Sequence, residues 1–220
     1  MGIFSPDSEF MMLISKVADY IIINLLCLVL SIPVVTAGAA MTAKFYVAMK
    51  MERGEEPQVV KAFFKSFKEN FKQSTLIWLP ALAISLIIVW DWYSILFGKT
   101  QSLFFGGKII FLILTVLWWA FVYNIFPMIA RFDISSKELL KGAMTFTFLN
   151  FPRMFLILLL TALSYVIEAW YMSWALAIWV LCTTVILYYA TKMYVSEYRK
   201  IEERMKREFY ADLKCNRQRI

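Results

Sequence analysis

Four stretches of this chain, residues 74–97, 108–130, 154–171 and 174–193, are almost free of charge. Each has roughly the 20 residues a helix needs to cross the hydrocarbon core of a bilayer. A further apolar stretch runs from about Val17 to Met49, too long for one span. It is interrupted at residues 31–38, Ser-Ile-Pro-Val-Val-Thr-Ala-Gly. Proline removes a backbone donor and disfavours helix at the residue before it. The pattern therefore predicts a first helix over 10–31 and a break carrying Pro33 and Gly38. A shorter segment, about 39–51, follows, and the sequence leaves it open between span and interfacial helix.

Composition narrows the functional classes. Of 220 residues, 61% are hydrophobic and 18% charged, and the mean hydropathy is +0.65. A chain this short has too little interior to bury that much apolar surface in water. Disorder, a disulfide-stapled scaffold and an ordinary soluble enzyme are excluded. There is no histidine, which removes histidine general bases, the common catalytic triads and histidine metal sites. The three cysteines, Cys27, Cys182 and Cys215, stand far apart and form no Cys-x-x-Cys pair. No phosphate-binding Walker loop is present. We expect no catalytic residue, no metal and no cofactor, and a chain that is not an enzyme.

The positive charges alternate along the chain. Residues 44–73 hold 7 Lys and Arg, residues 131–153 hold 4 and the tail from Lys192 holds 9. Residues 1–19 hold 1 and residues 98–108 hold 2. Lysine and arginine concentrate on the cytoplasmic side of membrane proteins. The rule predicts five spans, with the N-terminus outside and the C-terminus cytoplasmic. The stretch before the first helix carries Asp7 and Glu9 and no Lys or Arg. That is the wrong sign for a signal peptide, so a retained anchor is expected. The net charge of +7 then belongs to loops beside lipid, and anionic inner-leaflet lipid is the expected partner rather than nucleic acid.

Residues 57–73 read as an amphipathic helix. Phe63, Phe64, Phe67 and Phe71 share one face, while Lys61, Lys65, Lys68 and Lys72 take the other. Such a helix suits the inner membrane interface or a docking partner. The second basic loop is a weaker copy: Lys141 stands 80 residues after Lys61, and Asn150-Phe151 stand 80 after Asn70-Phe71. Ser135 and Glu138 fit a capping box. The spacing suggests a duplicated unit of span, interfacial helix and span. Residues 194–220 predict a charged cytoplasmic helix with Tyr194, Tyr198, Ile201 and Met205 on one face. The fold class expected is an all-α membrane protein. It comprises five transmembrane helices, a basic interfacial helix and a charged C-terminal helix.

Ionisable residues inside the membrane mark functional sites. Asp91 and Glu168 lie towards the outer ends of their spans, beside Trp90, Trp92 and Trp170. One reading is a ligand pocket of two carboxylates with aromatic walls. The other is an ordinary aromatic belt with carboxylates facing outer water. Asn24 and Asn124, deeper in, suit interhelical hydrogen bonds.

Residues 24–38, Asn-Leu-Leu-Cys-Leu-Val-Leu-Ser-Ile-Pro-Val-Val-Thr-Ala-Gly, together with Tyr46, Arg53-Gly54-Glu55-Glu56-Pro57 and the Phe-rich stretch 63–73, resemble the YesL family of bacterial integral membrane proteins. Ala39 departs from the proline common at that place. The resemblance implies a bacterial plasma membrane and an association with carbohydrate uptake, and it brings no catalytic residues. On this basis we expect a non-enzymatic accessory or regulator of carbohydrate uptake. Its partner would be a carbohydrate transporter component, contacted through the cytoplasmic helices 57–73 and 136–150. The alternative is a small-solute transporter or channel in its own right.

Overall fold

A computed structural model describes residues 9–97, 105–170 and 175–217. Among them are seven α-helices: α1 (Glu9–Ser31), α2 (Ala37–Glu52), α3 (Val59–Phe97), α4 (Phe105–Arg131), α5 (Ser136–Leu149), α6 (Phe151–Trp170) and α7 (Ala175–Arg217). The chain is an all-α membrane protein. By length and composition α1, α3, α4 and α7 can each cross a bilayer, and the bent pair α5–α6 makes a fifth candidate. Apolar side chains face outward along these helices, among them Leu76, Leu86, Ile87, Ile110, Leu159 and Leu176. Such continuous outward apolar surface calls for lipid.

The segment that the sequence leaves open, residues 39–51, is the centre of the bundle. Helix α2 packs on α1, α3, α4 and α7. Ala39, Ala40, Ala43, Phe45, Val47 and Ala48 are fully buried along it. Its small residues let neighbouring backbones come close, the usual means of helix association in lipid. Gly38 lies within α2 rather than in the break. A Cβ there would come within 2.6 Å of the Trp78 Cβ and 3.0 Å of the Ser74 carbonyl oxygen. Glycine is required by the approach of α3. Beside it the Thr42 and Ser74 hydroxyls hydrogen-bond at 2.8 Å.

The break itself is one 3₁₀ turn, Val34–Thr36, entered from an extended Pro33. The Thr36 hydroxyl lies against the carbonyls of Leu30 and Pro33. The Trp78 indole donates to the Val34 carbonyl at 2.7 Å. The carbonyls of Leu30, Pro33 and Val34 thus find donors within the protein, as backbone at membrane depth requires. Val34 and Val35 in the turn face outward, as does Ile32 before it, 76% exposed.

Helices α1 and α2 form an antiparallel hairpin. Lys16 on α1 pairs with Glu52 at the end of α2, at 3.0 Å, and Tyr20 donates to the same carboxylate oxygen at 2.9 Å. The first half of α1 therefore lies at the same end of the molecule as the α2–α3 connection. This corrects the expectation that residues 1–19 and 44–73 flank opposite faces. The charge rule reads sidedness from alternation, and counting α1 as a lone span missed the return of α2. The hairpin tip reaches Trp78, about midway along α3. Beyond it α3 is partnered by α4, through Trp118 to Ser85 at 3.0 Å and Trp92 to Thr115 at 3.0 Å.

One further boundary differs from the sequence reading. Residues 57–73 are not a separate interfacial helix, because α3 runs unbroken from Val59 to Phe97. Residues 194–217 continue the last span as helix, since α7 runs from Ala175 to Arg217. Tyr194 and Tyr198 are buried in the core, packed around Phe146.

Candidate functional site

The ends of the bundle differ in chemistry. At the end opposite the α2–α3 connection, Asp91 borders a shallow groove of about 400 Å³ between α3 and α4, shared with Ser94, Gly107, Phe111 and Leu114. Trp90 is not among the residues that line it and is 69% exposed. Trp92 is committed to its hydrogen bond with Thr115 and stacks near Phe111. Trp170 is 82% exposed on α6, a helix that packs on α4, α5 and α7. The side chain of Glu168 lies outside the described residues. The aromatic groups expected to line one pocket are thus spread over separate surfaces. The groove at Asp91 is walled mainly by apolar groups.

The middle of the bundle is closed. The Asn124 amide donates to the Thr147 hydroxyl at 2.8 Å, and the Tyr194 hydroxyl donates to the Asn124 carbonyl at 2.7 Å. Asn24 donates to Thr184 at 3.0 Å. These bonds tie α4 to α5 and α7, and α1 to α7, as the sequence suggested for the two asparagines. Around them pack Phe45, Ile125, Met154 and Leu187. Lys44 sits within α2 rather than in a loop, half-buried, and no ion pair reaches it among the described residues.

At the other end the basic residues gather. Lys61, Lys65, Lys68 and Lys72 are exposed along the first half of α3. The phenylalanines predicted to share their opposite face divide. Phe63 is fully buried against the core, Phe67 and Phe71 are half-buried with ring centroids 5.6 Å apart, and Phe64 is exposed. The face that α3 presents to the protein is narrower than the Phe stripe because Ser66 and Ser74, both buried, form its centre line. On α5 the capping box forms, with the Glu138 amide donating to Ser135 at 3.4 Å. Leu139, Ala143 and Phe146 turn inward, leaving Lys137 and Lys141 exposed.

Between the ends of α2 and α4 and the side of α7 lies a cleft of about 380 Å³. Arg53, Arg131 and Arg199 line it, with Glu52, Glu202 and Tyr198. Arg131 donates through Nε at 2.9 Å and Nη2 at 2.6 Å to one oxygen of Glu202. Arg53 and Lys50 share Glu55, at 2.7 and 3.2 Å. Arg53's hydrogen bond, reinforced by Lys50 and opposed by slight burial, holds the Glu55 carboxyl below its ordinary value. The sequence reading did not single out this cleft. Its signal was present: charges at the ends of α2 and α4, and Tyr198 and Glu202 four apart on α7, one helical face. The long-range pairing Arg131–Glu202 could not be read, because its partners stand 71 residues apart. No group of three or more metal-ligating side chains occurs among the described residues.

Residues 20–92 match the family model described as "Protein of unknown function, DUF624". The matched stretch runs from Tyr20, on Glu52, to Trp92, on Thr115. It contains the hairpin turn, the Gly38–Trp78 contact, the Thr42–Ser74 bond and all of the basic half of α3. What resembles DUF624 is therefore the α1–α2 hairpin with its supporting helix. No curated protein and no solved structure matches the chain.

Proposed function

We propose that this is a YesL-type, non-enzymatic accessory protein of a bacterial plasma membrane, serving a carbohydrate uptake system through its basic face. The observation that carries the reading is the contrast between a closed centre and a charged end. Phe45, Ile125 and Met154 close the middle around Asn124, Tyr194 and Thr147, which spend their polar groups on one another. A transporter needs a polar path at that depth. The ordered charged groups instead lie on α3, α5 and the cleft, where a partner can reach them.

By the positive-inside rule this face is cytoplasmic. Helices α3, α4, α6 and α7 then cross the membrane. The α1–α2 hairpin enters and leaves from the cytoplasmic side, so both termini share that side. Co-purification from native membranes in mild detergent tests the proposal. Recovery of a carbohydrate transporter component, lost on changing Lys61, Lys65, Lys68 and Lys72 to Gln, is the expected result. Recovery of no such component, or equal recovery with the quadruple variant, would remove it.

A further inference from the structure

We infer that the cleft between α2, α4 and α7 is a binding site for a phosphate-bearing anion. It is large enough: about 380 Å³ lies within the range of small-ligand sites. Its charges do not balance. Lys16 occupies Glu52, Arg131 occupies Glu202, and Lys50 and Arg53 share the single carboxylate of Glu55. Arg199, exposed at the cleft edge, has no ion-pair partner among the described residues. Three arginines thus line the cleft against two carboxylates, Glu52 and Glu202.

The geometry leaves donors uncommitted. Arg131 uses Nε and Nη2 on Glu202, and no described group takes its Nη1. Tyr198 forms part of the wall, and its buried hydroxyl has no hydrogen-bond partner among the described residues. Buried polar atoms are rarely left so. Guanidinium groups with a nearby hydroxyl form a donor set suited to phosphate oxygens.

One feature of the cleft opposes an anion: α2 and α4 both end here, with carbonyls outward. On α2 the turn removes much of that opposition. The amide of Arg53 bonds to Met49 and Lys50 carbonyls, Gly54 to Met51 and Glu55 to Lys50. Those carbonyls are consumed, and Arg199 remains at the cleft edge without an ion pair among the described residues. The phosphate could be a lipid headgroup at the basic interface or a soluble ion.

The test uses the full chain purified in a neutral detergent, with its thermal unfolding midpoint followed on titration. One arm adds phosphatidylglycerol, with phosphatidylcholine as control. The other adds inorganic phosphate, with chloride at matched ionic strength as control. A saturable rise in at least one arm is expected. A response to phosphatidylglycerol alone assigns a lipid headgroup, and a response to inorganic phosphate assigns a soluble anion. Arg199→Gln and Arg53→Gln are expected each to weaken the apparent affinity by about tenfold, the loss of one charge-assisted hydrogen bond. Tyr198→Phe is expected to leave the unliganded midpoint unchanged or higher while reducing the ligand-induced rise. A purely structural tyrosine would not separate those two readouts. The inference is overturned if neither arm saturates, or if the titration is unchanged in all three variants.

Discussion

Gly38→Ala is the sharpest probe of how this protein is held together. The added methyl would sit 2.6 Å from the Trp78 Cβ and 3.0 Å from the Ser74 carbonyl oxygen. Neither is the free end of a side chain, so α2 and α3 must separate. Overpacking of this kind costs about 1–3 kcal/mol. The separation also stretches the Thr42–Ser74 and Trp78–Val34 hydrogen bonds. Interhelical hydrogen bonds in membranes are worth about 0.6 kcal/mol on average. The expected total is about 2–4 kcal/mol. The measurement is reversible unfolding of purified protein in mixed micelles, titrated with a denaturing detergent. Gly142→Ala is an internal control. Its Cβ would meet only the Met128 side chain, the Cε at 2.8 Å and the sulfur at 4.0 Å, the flexible end of a thioether chain. There the methyl displaces a tip that can move, and alanine's better helix propensity offsets the cost. Equal stability of Gly38→Ala and Gly142→Ala would refute the claim that a rigid α2–α3 contact needs glycine.

Four other outcomes follow from the same geometry. Gly54 has φ +77 and open space around it, so Gly54→Ala should cost about 1 kcal/mol from backbone conformation alone; unchanged unfolding would count against that turn. Glu55 titrates below its ordinary value of 4.5, so its contribution is complete above that pH and is lost as pH falls through the lowered value. Its side chain is 44% exposed, which limits the effect to roughly 0.5 kcal/mol; Glu55→Gln should flatten this part of the acid limb, and an identical limb would exclude it. Lys44→Met removes a half-buried ammonium without an ion pair and should raise the unfolding midpoint, whereas a large fall would reveal a stabilising partner. Single cysteines at Leu13 and Glu56, in a background with Cys27, Cys182 and Cys215 changed to Ala, should both react with a membrane-impermeant maleimide only from the cytoplasmic side; labelling from opposite sides would rule out the hairpin.

The membrane class and most helix positions were legible because lipid imposes a simple rule on composition and run length. Lipid-facing surfaces were legible for the same reason. The direction of α1 was not. Helix α2 is 16 residues long, short for a span, and rich in alanine rather than leucine. Its burial comes from close packing between helices, which leaves little trace in hydropathy. The Lys16–Glu52 pair that fixes the hairpin joins residues far apart in sequence, and charge counting treats Lys16 alone. The arginine cleft was hidden in the same way: three helix segments supply its walls, and no local motif marks their meeting.

The suggested duplication shows how one residue separates two similar local patterns. Asn70-Phe71-Lys72 and Asn150-Phe151-Pro152 stand 80 residues apart. In the first copy the amphipathic stretch continues without interruption into the span, as the 39-residue α3. In the second it ends at Leu149, Asn150 caps it with φ -111 and ψ 20, and α6 starts at Phe151. The axes of α5 and α6 differ by 89°. Lys72 donates its amide within a helix and clashes with nothing. Pro152 has no amide hydrogen and its ring crowds the carbonyl four residues back, which favours a break at this point, and the first turn of a new helix accepts it; α3 and α4 run on through Pro80 and Pro127. The difference determines where each copy carries its charges. The basic half of α3 is a rigid extension of a transmembrane rod, whereas α5 folds across the α4–α7 side and brings Phe146 onto Tyr194 and Tyr198. Those contacts bury Tyr194 and Tyr198 on α7, and Tyr198 is one of the residues that line the arginine cleft, so the break that separates the two units also lets α5 pack against a cleft residue.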